Sequence, residues 1–322
     1  MKKQNLAIIA FFTIFASGRH RAQKVNADLK KEYEKVLILS SGGTMGLAWQ
    51  LATLQKYNSS GKLDLSSYDL AIGTSAGSIA ALMLGSEKDV GQITKDLSLF
   101  SSVLEQELQS STQKMFTHKN YKRAINSFKG LKFPHFGMLL SSTLHEGINN
   151  LSSLESYINN SLRNAWPERE TWVIVSDVEN GRREILHRGS GLNPGTAAIA
   201  SSAVPALFKS IPHGEKRYID GGMISSSHID IALRVRTKEI TLLTISQGFA
   251  NPLTAKNLLS ALNAVNQNIE EINIIKAKIW GRFTKTKITI VRPTKNENKI
   301  LRANRLMDST LLNKLVAETL AG

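Results

Sequence analysis

The residue of this chain best suited to covalent chemistry is Ser75, which lies in the run Gly73-Thr74-Ser75-Ala76-Gly77. The run has the form G-x-S-x-G, in which a serine on a sharp turn between a strand and a helix exposes its hydroxyl. The two glycines leave room for the tight turn and for close packing of the backbone. Apolar residues before the run predict the strand, and apolar residues at helical spacing after it predict the helix. Short strings of this composition also occur in ordinary turns, but the flanking elements favour a nucleophile.

A serine nucleophile needs a base, and Asp220 is the stronger candidate. It precedes Gly221 and Gly222 at the end of a predicted strand, where the glycines let backbone approach the carboxylate closely. The alternative is a plain Asp-Gly turn. Of the seven histidines, only His228 follows Asp220, as a triad in the chain order Ser-Asp-His would require. The sequence around His228 carries no signal of a rigid catalytic loop and favours a position at a helix start or on the surface.

The first predicted strand, at 36–39, runs into a loop of serines and glycines at 40–46. Such loops often bind phosphate. This one lacks the lysine of G-x-x-x-x-G-K-[ST], and Ser41 stands where G-x-G-x-x-G requires its first glycine. Nucleotide binding is therefore disfavoured. The remaining interpretation is a row of backbone N–H groups that can hold a carbonyl oxygen as it becomes an oxyanion.

These residues must be positioned by the surrounding elements. The sequence predicts a β-hairpin with its turn at Asn180-Gly181, and further strands at 240–246 and 287–291. It predicts helices from Ser152, with Glu155 completing a capping box, at 197–203, at 258–279 and at the C-terminus. Strands that alternate with helices indicate a largely parallel sheet covered on both faces in one domain.

Composition limits the classes of function. The chain has 322 residues, no cysteine and a formal net charge of +15. Disulfides, thiolate metal sites and a cysteine nucleophile are therefore excluded. The positive charge favours anionic partners such as acidic lipid or nucleic acid. No nucleic-acid recognition motif accompanies it, so nucleic acid is not the expected partner.

The N-terminus has the layout of a secretory signal peptide at 1–18, with Lys2 and Lys3 before an apolar run that is too short to span a bilayer. The basic residues that follow count against export. We therefore expect a secreted, periplasmic or membrane-associated protein, with a cytoplasmic location as the alternative. A polar lead-in at 19–35 and a single domain at 36–322 complete the predicted organisation.

Two basic stretches could contact lipid. Residues 108–145 contain no Asp or Glu, and their six cations are interleaved with five aromatic residues, as in a lid that meets a membrane surface. Residues 276–305 carry ten Lys or Arg against Glu297 alone. Solvated helix faces with core aromatics are the alternative interpretation of both stretches.

The three motifs together resemble the patatin-like phospholipase family. They are SGGTMG at 41–46, GTSAG at 73–77 and DGG at 220–222, and the stretches AIASSAVPALFKSI and WVIVSDVENGRREI are also similar. The resemblance implies a three-layer α/β/α sandwich with a mostly parallel central sheet. It also implies a lipid acyl hydrolase in which no metal or other cofactor takes part in the chemistry.

The resemblance assigns roles to particular residues. Ser75 would be the nucleophile and Asp220 the general base, without a histidine. The amides of Gly42, Gly43 and Thr44 would form the oxyanion hole, and Gly46, Gly73, Gly77 and Gly221 would support the motifs. A base of this kind requires a raised pKa, which burial would provide. A Ser-His-Asp esterase using His228 and a catalytically silent membrane-binding protein remain the alternatives.

This chain departs from the family pattern at two positions. Ser41 stands where the first loop glycine is usual, and Met45 stands where Arg or Lys is usual. Serine still has an N–H group for the oxyanion hole. If the missing cation attracts phosphate, its absence weakens the expectation of phospholipid as substrate but not that of an ester.

Overall fold

A computed structural model describes residues 31–86, 88–96, 151–205, 207–251, 258–301 and 309–322. The predicted signal peptide at 1–18 and the predicted lid at 108–145 lie outside these ranges. Within them, no helix is both long and apolar enough to cross a membrane.

The described residues form strands and helices in alternation. The strands are β1 (Glu32–Leu39), β2 (Leu70–Thr74), β3 (Glu170–Asp177), β4 (Arg182–Leu186), β5 (Ile211–His213), β6 (Lys216–Asp220), β7 (Arg236–Leu243) and β8 (Lys287–Val291). The helices are α1 (Gly43–Ser59), α2 (Ala76–Met83), α3 (Ser152–Ser161), α4 (Pro194–Ser201), α5 (Ile229–Ala232), α6 (Leu258–Thr284), α7 (Lys295–Ile300) and α8 (Leu312–Ala321).

In the described part of the chain, eight strands form one sheet in the order β5-β6-β3-β2-β1-β7-β8, and β4 also pairs with β3. Strands β3, β2, β1, β7 and β8 run parallel, whereas β4 and β6 are antiparallel to β3. The mostly parallel sheet predicted from the sequence is confirmed. The carboxyl ends of β1 and β2 lie side by side, so the loops that follow them share one edge of the sheet.

Both faces of the sheet are covered, which confirms the three-layer sandwich. Alternate side chains of a strand point to opposite faces. On β1, Leu37 and Leu39 join a core cluster with residues of α1, α2, α3, α4 and α8. Val36 and Ile38 join a second cluster with residues of α5 and α6. The continuous apolar run of β1 is therefore the pattern of a strand buried on both sides.

Some predicted boundaries are corrected. β1 begins at Glu32, within the predicted lead-in, because Glu32 pairs in register with Arg236 of β7. The charged residues at this end of β1 concealed the strand. Ser152 does not cap α3: the residue before the helix is Leu151, which makes no side-chain cap. Glu155 instead accepts a hydrogen bond from the Thr196 hydroxyl.

Candidate active site

Ser75 lies on a strained turn between β2 and α2. Its backbone angles are φ 52° and ψ −124°, in a region that non-glycine residues rarely occupy. Its side chain is nearly buried, with 7% of the residue exposed. The strand-turn-helix context predicted from the sequence is thus present. Strain of this kind costs about 1–3 kcal/mol and persists only where the surroundings enforce it.

Two buried serines enforce this turn. The Ser201 hydroxyl accepts a hydrogen bond from the Ser75 N–H at 2.8 Å and donates to the Ile174 carbonyl at 2.7 Å. The Ser78 hydroxyl donates to the Ser75 carbonyl at 2.6 Å. Sequence reasoning missed both supports. Ser201 lies in the run AIASSAV, so the only available signal was its similarity to the family.

The glycines around Ser75 are required by close packing. A Cβ atom on Gly73 would lie 2.4 Å from the Gly77 carbonyl oxygen. One on Gly77 would lie 2.0 Å from the Leu39 carbonyl oxygen, so α2 packs directly against the end of β1. Any side chain at either position would move the backbone beside Ser75.

Asp220 lies against Ser75. The Ser75 hydroxyl is close enough to the Asp220 carboxylate to act on its pKa, and the Gly222 N–H donates to Asp220 Oδ1 at 2.6 Å. Asp220 is only 3% exposed. Burial raises its pKa to about 6, although the interactions with Ser75 and Gly222 act in the opposite direction. The direction agrees with the raised pKa predicted from the sequence.

Strand β3 places the two residues next to each other. Thr74, the residue before Ser75, is paired with Ile174 of β3, and Asp220 is paired with the following residue, Val175. A Cβ on Gly221 would lie 2.3 Å from the Ile174 carbonyl oxygen, so the chain after Asp220 closes directly onto β3. Two segments distant in sequence thus meet through adjacent positions of one strand.

The glycine loop after β1 lies beside this pair. Gly42 is the N-cap of α1, and Gly43 has φ 60°, which favours glycine. A Cβ on Gly222 would lie 3.3 Å from the Ser41 hydroxyl, so the loop also contacts the chain after Asp220. Within the described residues, the N–H groups of Gly42 and Gly43 donate to no protein acceptor. The amino-terminal end of a helix favours negative charge nearby.

Ser41 does not contribute to this row of amides. Its N–H donates to the Ser226 carbonyl at 2.9 Å, and its hydroxyl lies 2.8 Å from that of Ser226. The expectation that its N–H remains available is therefore wrong for this structure. Ser41 instead joins the loop to the segment after Asp220. The buried Gln50, which sequence reasoning did not single out, donates to the Ser40 carbonyl at 2.6 Å.

The structure also shows the surroundings of two further motif positions, Met45 and Gly46. Met45, which replaces the usual cation, is fully buried in the core of α1. Its side chain therefore faces the interior rather than an entering substrate. Gly46 has ordinary space around it, because the nearest atoms to an added Cβ would be those of Ile245 at 3.9 Å.

His228 is fully buried at the N-cap of α5, with φ 52°. The helix-start position favoured by the sequence is confirmed, and the surface position is wrong. Its Nε2 lies 3.0 Å from the Gly221 carbonyl oxygen and its Nδ1 lies 3.2 Å from an Arg183 nitrogen. Both ring nitrogens are thus held by groups other than Ser75.

Among the described residues, no group of three or more His, Asp or Glu is arranged to hold a metal ion. The groups available for chemistry are a hydroxyl on a strained turn, a buried carboxylate next to it, and the backbone amides of the glycine loop. These are the kinds of group that catalysis by a serine nucleophile uses.

The sequence profile of the family described as Patatin-like phospholipase matches residues 37–233, more than half of the chain. The chain belongs to this family, and its class is that of lipid hydrolases. No curated protein sequence matches the chain.

Solved structures similar to the chain include VipD from Legionella pneumophila, with 14% identity, a TM-score of 0.37, and coverage of 94% of this chain and 72% of VipD. Another is full-length ExoU, from the type III secretion system of Pseudomonas aeruginosa, in complex with SpcU. Its identity is 16% and its TM-score 0.36, with 91% of this chain and 54% of ExoU covered. The chain therefore spans little more than half of ExoU.

Proposed function

We propose that this protein is a lipid acyl hydrolase that cleaves carboxylic esters through an acyl-enzyme on Ser75, with Asp220 as the general base. The observation that carries the proposal is the placement of the buried Asp220 carboxylate against Ser75 through adjacent positions of β3. With a pKa of about 6, Asp220 is mostly ionised at neutral pH and is more basic than an ordinary aspartate.

The first half-reaction forms the acyl-enzyme. The Ser75 oxygen attacks the ester carbonyl carbon while Asp220 takes the hydroxyl proton. The carbonyl oxygen becomes an oxyanion, stabilised by the amides of Gly42 and Gly43, with Thr44 next to them. When the tetrahedral intermediate collapses, the carbon–oxygen bond to the alcohol breaks and the alcohol leaves with the proton from Asp220.

The second half-reaction releases the acid. Water attacks the acyl carbon, Asp220 takes one proton from that water, and a second oxyanion forms at the same amides. Collapse breaks the bond to Ser75, which recovers its proton from Asp220. One group thus serves as base and then as acid in each half-reaction.

The alternative with His228 as base has weaker support. Its Nε2 bonds to the Gly221 carbonyl and its Nδ1 to Arg183, so Ser75 would have to displace one of them. A catalytically silent protein has weaker support as well, because a silent protein has no need of a strained serine against a buried carboxylate.

The decisive experiment is labelling with a fluorophosphonate probe, which reacts with activated serines. Wild type should be labelled, whereas Ser75→Ala should not. Ser60→Ala, which changes an exposed serine at the end of α1, should be labelled like wild type. Labelling that survives Ser75→Ala, or none in wild type, would contradict the proposal. Lipid products should be identified by mass spectrometry after incubation with mixed membranes.

We also propose that the protein binds an anionic lipid surface. The second half of α6 exposes four large apolar side chains, namely Ile275 (44%), Ile279 (50%), Trp280 (52%) and Phe283 (79%). Exposed cations flank them: Lys276, Lys278, Arg282 and Lys285. We call these eight residues the α6 surface. Aromatic and basic side chains together on one helix face are typical of helices that bind at the headgroup boundary.

The α6 surface lies toward the end of the sheet opposite Ser75. Thr286, just after α6, donates to the carbonyl of Thr237 at the start of β7, whereas Ser75 follows the end of β2. Binding through this surface would hold the protein at a membrane without itself placing Ser75 against the lipid. Attachment and catalysis should therefore be separable by mutation.

The test is sedimentation with anionic vesicles. Trp280→Glu with Phe283→Glu should weaken binding at least about tenfold, the scale of one or two buried aromatic side chains, and leave hydrolysis of a soluble ester unchanged. Leu320→Glu, at an exposed apolar position of α8, is the control. Binding that is equal in all variants would exclude the α6 surface as the lipid-binding site. If the variants instead change the oligomeric state of the protein, the surface is a contact between two copies of the chain. The proposed lid at 108–145 and export by residues 1–18 need separate truncations.

A further inference from the structure

A chain of contacts links Asp220 to His228 through a single peptide group. The Gly222 N–H, which donates to Asp220 Oδ1 at 2.6 Å, belongs to the same peptide group as the Gly221 carbonyl. That carbonyl lies 3.0 Å from His228 Nε2. One peptide group therefore touches the carboxylate with its N–H end and the imidazole with its C=O end.

The partners of His228 fix its protonation. A carbonyl oxygen only accepts, so Nε2 must carry the proton and donate it to Gly221. A guanidinium only donates, so Nδ1 must accept from Arg183. His228 is consequently held as the neutral tautomer with its proton on Nε2, in the orientation that serves the Gly221–Gly222 peptide.

Arg183 is itself firmly held. It is 5% exposed on β4, and it binds the Asp230 carboxylate with two nitrogens, one of them at 2.7 Å from Oδ1. Bidentate pairing fixes the plane of a guanidinium. Asp230 of α5 thus fixes Arg183 of β4, which in turn holds the ring of His228.

We propose that His228, oriented by Arg183, is a positioning residue that holds the Gly221–Gly222 peptide with its N–H directed at Asp220. Hydrogen bonds through one peptide group reinforce each other, since polarising the carbonyl strengthens the N–H as a donor. The Gly221 carbonyl also accepts from the Ile224 N–H at 3.0 Å, and His228 is its side-chain donor. Without His228, the peptide keeps the backbone contact but is held less firmly, so the Gly222 N–H is directed less precisely at Asp220. This inference rests on the proposed function of Asp220 as the base.

The test compares substitutions at His228 in the hydrolysis of a soluble p-nitrophenyl ester. His228→Gln keeps an amide donor near the position of Nε2, whereas His228→Leu keeps only the bulk. We expect His228→Leu to lower kcat about 10- to 100-fold, the scale of one buried hydrogen bond, with KM unchanged. His228→Gln should retain kcat within about threefold of wild type, because losing the Arg183 contact should affect the Gly221–Gly222 peptide less than losing the hydrogen bond to Gly221.

Substitutions at Arg183 provide a second test of the same inference. Arg183→Met should lower kcat in the same direction with KM unchanged, because it leaves Nδ1 without its donor. Arg183→Lys, which keeps a positive donor, should restore part of the loss. If His228→Leu does not fold, His228→Asn replaces it, because asparagine tolerates the left-handed backbone but is too short to reach Gly221.

The outcomes separate this inference from the proposed function. If Ser75→Ala hydrolyses the ester as fast as wild type, or if wild type does not hydrolyse it, the proposed function fails. If Ser75 is essential but His228→Leu, or its Asn replacement, keeps full kcat, only the positioning role fails. A His228→Gln variant as inactive as His228→Leu would overturn it too, since that result indicates a histidine that exchanges protons.

Discussion

The backbone of Ser75 is the most strained feature of the site, and it is held by hydrogen bonds to neighbouring side chains. The turn takes φ 52° because Ser201 and Ser78 fix the N–H and the carbonyl of Ser75 from two sides. Such a conformation is costly for any residue with a Cβ.

The strain can be measured by comparing two inactive variants. Ser75→Ala keeps the Cβ and the strain, whereas Ser75→Gly removes both. We expect Ser75→Gly to have a free energy of unfolding about 1 kcal/mol larger than Ser75→Ala, although glycine normally destabilises by increasing the entropy of the unfolded chain. Urea unfolding followed by circular dichroism would measure the difference. A less stable glycine variant would show that the turn is not strained.

The raised pKa of Asp220 predicts the pH dependence of hydrolysis. The base must be ionised, so kcat/KM should rise with pH through a midpoint near the pKa of about 6 and then level off. The profile should be measured with a soluble ester whose own ionisation does not change in this range. A midpoint at or below about 3.9, the ordinary value for aspartate, would contradict a buried aspartate base.

At the scale of elements, the site depends on how closely α2 approaches the end of β1. Gly77 is the contact point, since an added Cβ would lie 2.0 Å from the Leu39 carbonyl oxygen and 2.7 Å from that of Ser40. Any larger residue pushes α2, and with it Ser75, away from the glycine loop. This packing explains physically why the motif requires glycine at position 77.

Gly77→Ala should therefore lower the free energy of unfolding by about 1–3 kcal/mol or more, as overpacking of a core does, and abolish probe labelling. Gly46→Ala is the matched control because it lies within α1 with no atom closer than 3.9 Å to the new Cβ. Its stability should be unchanged or up to about 1 kcal/mol higher, since alanine is the better helix former. Equal losses in both variants would refute the packing argument.

At the scale of the whole molecule, ionisation of two buried carboxyl groups lowers the free energy of unfolding. Burial raises the pKa of Asp220 from 3.8 to about 6. Burial, followed by repulsion from Glu271 and Asp230, raises the pKa of Glu270 from 4.5 to about 7, while hydrogen bonds with Ser227 act against this. Because the folded pKa values are the higher ones, the stabilising contribution is complete below about pH 4 and is lost as the pH rises through 6 and 7.

The double variant Asp220→Asn/Glu270→Gln should remove this dependence. Its stability relative to wild type should increase between pH 4 and pH 8, by at most about 3 kcal/mol for each carboxyl at roughly 1.4 kcal/mol per pKa unit. Thermal or urea unfolding at several pH values would measure this difference in stability. Each single variant would give the contribution of its own carboxyl group. A difference that stays constant with pH would mean that neither pKa is raised.

Local patterns sufficed to predict most of the strands and helices and the three motifs, but not β5 or α5. The run at 36–39 reads as a buried strand because apolar side chains face both layers, and GTSAG reads as a turn because only small residues fit there. The resemblance to the family then predicted Ser75 and Asp220 as partners. These features are predictable because they depend on residues within a few positions of each other.

Only the tertiary structure decided which groups surround the motifs. Ser201, Arg183 and Gln50 act on the site from other elements, and no local spacing links them to it. The burial of His228 and the engagement of the Ser41 N–H likewise depend on how the segment after Asp220 folds back onto β1. The sequence by itself determined which residues the proposed mechanism uses, because their chemistry depends on residue type. Their distances, their pKa values and their supports arise only when β3 brings residues more than a hundred positions apart into adjacent register.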